Sequence, residues 1–183
     1  MDAPTATTTT EVVDFLNTLD IDGDRDDLAD VEAFGSWLAD RTAGHGRAAA
    51  TATSLERARR LRDALRRLAR ANHDGDVDRE ALEALDALSH DLGLRPRFEP
   101  AGVTIACDVE GTDGVLGRLL ADVATAMRDG AWTRVKLCAD DACAWAFVDA
   151  SRNRSGRWCS MAGCGNRAKV RAYRSRGAQA PQV

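Results

Sequence analysis

The sequence predicts an α+β fold. A mostly helical N-terminal domain with a small antiparallel sheet precedes a compact, treble-clef-like C-terminal module built round four cysteines. Three observations predict it. Apolar residues recur at helical spacing through most of the first 130 positions, and a stretch near position 105 alternates apolar with polar. The last 50 residues carry two C-x4-C pairs. The implied boundaries are a disordered tail over 1–9, an α+β domain over 10–133, the cysteine module over 134–176 and a second disordered tail over 177–183.

Each element has its own signal. "VVDFLNTL" puts Val12, Phe15, Leu16 and Leu19 on one helical face. After a turn at Gly23, a helix from about Leu28 to Asp40 turns Leu28, Val31, Phe34 or Gly35, and Leu38 inward. "TSLERARRLRDALRRLARAN" is the clearest helix: Thr53 and Glu56 form a capping box, and Leu55, Ala58, Leu61, Leu65 and Leu68 form the buried stripe. A further helix from Asp78 to about Asp91 presents Leu82, Leu85 and Leu88, with Gly93 as its stop. Val103, Ile105, Cys107 and Val109 alternate with polar or small residues, the pattern of a half-buried strand. "DGVLGRLLADVATAMRDG" returns to helical spacing and ends at Gly130.

Composition narrows the classes of function. The chain has 183 residues, a hydrophobic fraction of 44%, and a net charge of −4. No window approaches the roughly 18 apolar residues of a membrane span, and the first residues lack a secretory pattern, so a cytoplasmic protein with reduced thiols is expected. Charge is unevenly placed. Residues 1–133 carry 15 Lys+Arg against 26 Asp+Glu, a net of −11, whereas 134–183 carry 10 against 3, a net of +7. Such asymmetry points to two modules with different partners, or to halves that attract each other. Asp20, Asp22, Asp24 and Asp26 alternate like a calcium loop, but the glycine and glutamate that such a loop needs are absent. His45, His73 and His90 sit in or beside turns without a catalytic partner. No nucleophile–base pair or phosphate loop is present, so no enzyme is expected.

Cys138, Cys143, Cys159 and Cys164 form two C-x4-C pairs separated by 15 residues. In a reducing compartment that spacing signals one structural zinc ion, closed by four thiolates with no open position. Cys107 lies on the strand and is left out as a core thiol. A strand and knuckle at "VKLCADDAC", strands at "AWAFVDAS" and "RWC" joined by "RNRSG", and a second knuckle with a final helix give the treble-clef-like order. A module so small needs its metal to fold.

"C-x4-C-x-W-A-F-V-D-A-S-R-N-R" followed by "WCSMAGCGNRAK" resembles the CGNR zinc finger family. "DFLNT" and "WLADRTAG" are similar to the ABATE domain that accompanies that finger in bacterial stress-linked transcription regulators. The resemblance implies zinc on the four cysteines and a finger that contacts DNA. One departure stands out: Gly156 occupies a position where the family's pattern carries a basic residue, which removes one expected phosphate contact.

The basic residues suit that role. Arg167, Arg171 and Arg174 fall at i, i+4 and i+7 of the final helix, Lys169 and Arg176 form an adjacent row, and the turn adds Arg152, Arg154 and Arg157. Asn166 reads equally as a base contact or a local cap, and Trp158 and Tyr173 as packing groups. The expected function is a DNA-binding transcription regulator on double-stranded DNA, its N-terminal domain serving a small-molecule effector or a homodimer. The alternative is an adaptor whose finger binds RNA or a protein partner.

Overall fold

The computed structural model describes residues 5–41, 49–73 and 75–178. Among the described residues there are six α-helices: α1 (Thr5–Leu16), α2 (Val31–Arg41), α3 (Ala52–Ala71), α4 (Arg79–Asp91), α5 (Gly111–Arg128) and α6 (Asn166–Ala178). Three separate two-stranded antiparallel ladders punctuate them: β1 (Leu19–Asp20) with β2 (Arg25–Asp26), β3 (Leu94–Glu99) with β4 (Gly102–Cys107), and β5 (Val135–Leu137) with β6 (Ala146–Val148). The fold is α+β, with small ladders in place of one sheet. The stretch expected as a tail over 1–9 enters α1 at Thr5. Among the described residues, no helix is long and apolar enough to cross a membrane.

One apolar core holds α1 to α5. Val12, Phe15, Leu16, Leu28, Phe34, Leu38, Leu55, Leu61, Leu65, Leu88, Leu116 and Val123 meet in it. The stripe expected on α3 is buried throughout, but its cap lies earlier. The Thr51 hydroxyl accepts the Ser54 N–H at 3.1 Å and the Ser54 hydroxyl accepts the Thr51 N–H at 2.9 Å. Thr53 and Glu56 therefore sit inside the helix rather than capping it. On α4, capped by Asp78, the inward residues are Ala81, Leu85 and Leu88. Leu82 stands about 100° away from that face and is exposed. In the β3–β4 hairpin only the end at α5 is covered. Ile105 and Cys107 are half-buried, whereas Val103 and Val109 are exposed, and Phe98 at the far end is 81% exposed. Gly117 allows the contact: a Cβ there would lie 2.4 Å from the Cys107 sulfur.

The C-terminal module is not a detached bead. Val135, Leu137 and Ala146 belong to the main core, so β5 and β6 pack on α1 and α3. Asn17 makes the seam. Its amide donates to the Ala146 carbonyl at 3.0 Å and its side-chain oxygen accepts the Ala146 N–H at 2.7 Å, pairing with the backbone as a neighbouring strand would. Buried Arg66 adds a bond to the Ala144 carbonyl at 2.9 Å, where the backbone is left-handed (φ 45°). Asn72 donates to the carbonyls of Trp132 and Val135, and the His73 Nε2–H to that of Leu137.

Candidate metal centre and basic surface

Two knuckles bring the four sulfurs together. The first follows β5: Cys138 N–H bonds the Trp145 carbonyl at 2.8 Å, and the N–H groups of Cys143 and Ala144 both reach the Asp140 carbonyl at 2.8 Å. The second is a wide turn, Met161–Gly165, whose start is capped by the Ser160 hydroxyl, which accepts the Gly163 N–H at 3.2 Å. "RWC" does not form the second strand expected of it. The chain there is irregular and makes a single backbone bond, Ala139 N–H to the Arg157 carbonyl at 2.8 Å.

The Sγ atoms of Cys138, Cys143, Cys159 and Cys164 all lie within 4.8 Å of one another. Cys143 and Cys159 are 3.7 Å apart, as are Cys159 and Cys164. Tetrahedral zinc with Zn–S bonds near 2.3 Å requires sulfurs about 3.8 Å apart, so the donor set fits. Trp145 and Trp158 pack against the cluster. Burial pushes the Cys143 thiol up to about 11 and the Cys159 thiol up further. Burial acts on Cys164 too, but hydrogen bonds from Cys138, Cys159, Cys143 and Arg167 outweigh it and hold that thiol below the ordinary range. Zinc must displace protons here, so affinity rises with pH. Cys107 lies outside the cluster, bonded to the Leu92 carbonyl.

Other candidates resolve differently. Among the described residues the cysteines are the only His, Cys, Asp or Glu group of three or more with metal-holding geometry. The alternating aspartates are used locally. Asp20 accepts the Gly23 N–H, and Asp26 accepts the Leu28 N–H and pairs with Arg62. His90 is exposed at the end of α4, and His45 lies outside the described residues.

The turn between β6 and the second knuckle is fixed by a pair hidden from the sequence. Lys136 and Asp149, 3% and 2% exposed, bond at 2.9 Å. Lys136 also donates to the carbonyls of Arg154 and Gly156. Burial raises the Asp149 carboxyl, but bonds from Ser151, Lys136 and the Gly156 N–H override it and hold it far below the usual carboxylate range. Gly156 now has a reason: a Cβ there would lie 2.6 Å from an Asp149 oxygen.

The basic residues divide into two sets. Arg167 donates to the Cys164 sulfur at 2.9 Å and lies 3.2 Å from Asp140 and 3.6 Å from Asp22. Arg171 also pairs with Asp140, at 3.2 Å. Asn166 donates to the Ala162 carbonyl at 3.1 Å, within the second knuckle. Arg154 donates to the Thr133 hydroxyl. Arg152, Arg157, Lys169 and Arg174 are exposed and have no partner among the described residues. At 100° per residue Lys169 lies opposite Arg167 and Arg171, not beside them, and position 176 follows Lys169 in register. The Arg176 side chain is outside the described residues. Tyr173, expected to pack, is 75% exposed on the same outward side.

Comparisons with known proteins bear on both halves. Residues 11–131 match the ABATE family, described as "Putative stress-induced transcription regulator", and residues 134–177 match the CGNR zinc finger. No curated protein matches the chain. Sulfur geometry and the finger match together support a structural zinc ion, and the cluster of Cys138, Cys143, Cys159 and Cys164 is the donor set that fits it.

Proposed function

The chain belongs to the ABATE family and carries a CGNR zinc finger, and from that premise we propose a transcription regulator that docks on duplex DNA through the exposed cations of its finger. The observation that carries this reading is the set of uncommitted charges. Arg152, Arg157, Lys169 and Arg174 face solvent without partners among the described residues, on a turn anchored by Lys136–Asp149 and a helix rooted at zinc ligand Cys164. Several such charges on a rigid frame neutralise phosphates and release counterions, so affinity falls steeply with salt. Exposed Tyr173 adds a flat group beside Lys169. Arg167 and Arg171 drop out as free phosphate contacts, because Asp140 and Cys164 already engage them.

The N-terminal domain supplies the sensing or dimerising half of this proposal. A cleft of about 800 Å³, lined in part by Glu11, Asp14, Trp37, Asp40 and Asp122, supports an effector site there.

The test is a titration of the zinc-loaded chain against duplex DNA, single strands and RNA at two salt concentrations. Duplex preference with a steep salt slope is expected, and K169A and R174A should each lower that slope by about 1. Equal weak binding to every polyanion would favour the adaptor.

A further inference from the structure

We infer that Arg167, the arginine of the C-G-N-R motif, is a positioning residue of the zinc centre and not a nucleic-acid contact. Three observations converge on it. Its guanidinium donates to the Cys164 sulfur at 2.9 Å. It shares the Asp140 carboxylate with Arg171, and that carboxylate is only 6% exposed. Its third neighbour is Asp22, in the β1–β2 turn of the N-terminal domain.

The chemistry gives these contacts a purpose. Four thiolates around a divalent cation leave a net charge of minus two, and donors to the sulfurs offset it. Among the described residues Arg167 is the one cationic side chain that touches a ligand sulfur. Asp140 lies within the first knuckle, between Cys138 and Cys143, while Arg167 and Arg171 lie on α6. The two guanidiniums therefore tie the second knuckle and its helix to the first. A buried carboxylate without a cation would be costly, which holds the tie closed. Arg167 thus orients a metal ligand, balances its charge and, with Arg171, fixes the direction in which α6 leaves the centre. Arg171 holds the same carboxylate, so α6 keeps that direction when Arg167 alone is changed, and the metal readouts below do not depend on DNA binding at all.

The experiment uses the full chain loaded with cobalt(II) or zinc, with R167Q, R167K and R174Q compared to wild type. Three quantities are read: the cobalt–thiolate charge-transfer band, zinc affinity by competition with a chelating chromophore, and duplex affinity at saturating zinc. R167Q should shift the band and weaken zinc binding 10- to 100-fold. R167K, which keeps the charge but loses the planar fork, should recover part of both. R174Q should leave band and zinc affinity unchanged. At saturating zinc, R167Q should bind duplex within about twofold of wild type, since the free charges are untouched. The inference is overturned if R167Q keeps the wild-type band and zinc affinity. It is equally overturned if duplex affinity of R167Q at saturating zinc drops about tenfold or more. If R167Q does not fold, R167K decides: a wild-type band and wild-type zinc affinity there sink the inference.

Discussion

Helices α3 and α6 are both rich in arginine, and they use it in opposite ways. On α3 the guanidiniums turn inward or sideways to fixed partners. Arg57 pairs with Asp113, Arg62 with Asp26, Arg67 with Asp78 and Glu80, and Arg70 with Asp141. Arg59 and Arg66 donate to backbone carbonyls. Only Arg60 of that helix has no partner among the described residues. On α6 the partners run out after Arg167 and Arg171, and Lys169 and Arg174 face water alone. The lesson is that a dense run of arginines says little by itself. What decides its use is whether carboxylates and unpaired carbonyls lie within reach.

The two helices also differ in what holds them. α3 buries Leu55, Ala58, Leu61, Leu65, Leu68 and Ala69, whereas no residue of α6 from 166 to 174 is fully buried. The position of α6 therefore rests on the zinc centre and the Asp140 clasp. Stripping the metal is the harshest way to test that contrast. Structural zinc contributes on the order of 10 kcal/mol or more to small modules. Chelation, or C164S, should raise amide hydrogen exchange over 166–178 to that of an open chain while 55–69 stays protected. Unchanged protection of α6 would erase the difference between the helices.

A smaller loss is expected from D149N, which leaves Lys136 buried and uncompensated, at about 3–5 kcal/mol by chemical denaturation. The pH dependence has a definite sign. The Asp149 carboxyl is depressed in the folded protein, so its stabilisation is complete above the unfolded carboxylate value near 3.9 and is lost as pH falls through and below it. D149N should flatten that acid limb. R66A follows, because it strands the carbonyls of Leu16 and Ala144, and should cost about 2–4 kcal/mol. R60A should change stability by no more than about 0.5 kcal/mol. Equal effects of R66A and R60A would break the inward-versus-outward distinction.

The buried stripe of α3 and the zinc ligands were both legible, for the same reason. Each depends on spacing within one segment: Leu55 to Leu68 by helical period, Cys138 to Cys164 by two short loops. What escaped depends on distant partners. Arg167 and Arg171 read as solvent-facing because nothing local marks Asp140 as their counter-ion. Lys136 and Asp149 lie 13 apart and meet only through the β5–β6 register. Asn17 stood inside "DFLNT", yet its two hydrogen bonds to Ala146 span 129 positions. The misplaced cap at Thr53 was a nearer miss: three hydroxyl residues lie within four positions, and geometry alone chooses Thr51 with Ser54.

The Asn17 seam bears on how portable the finger is. Its backbone partner is reached by one amide of exact length on the far side of the chain, with Arg66 beside it. Because both side chains bond backbone groups, a finger grafted onto this helical scaffold would find its footing whatever its side chains at 144 and 146, provided its chain follows the same path there. Residues 17 and 66 of the scaffold are therefore the ones an engineered chimera must keep.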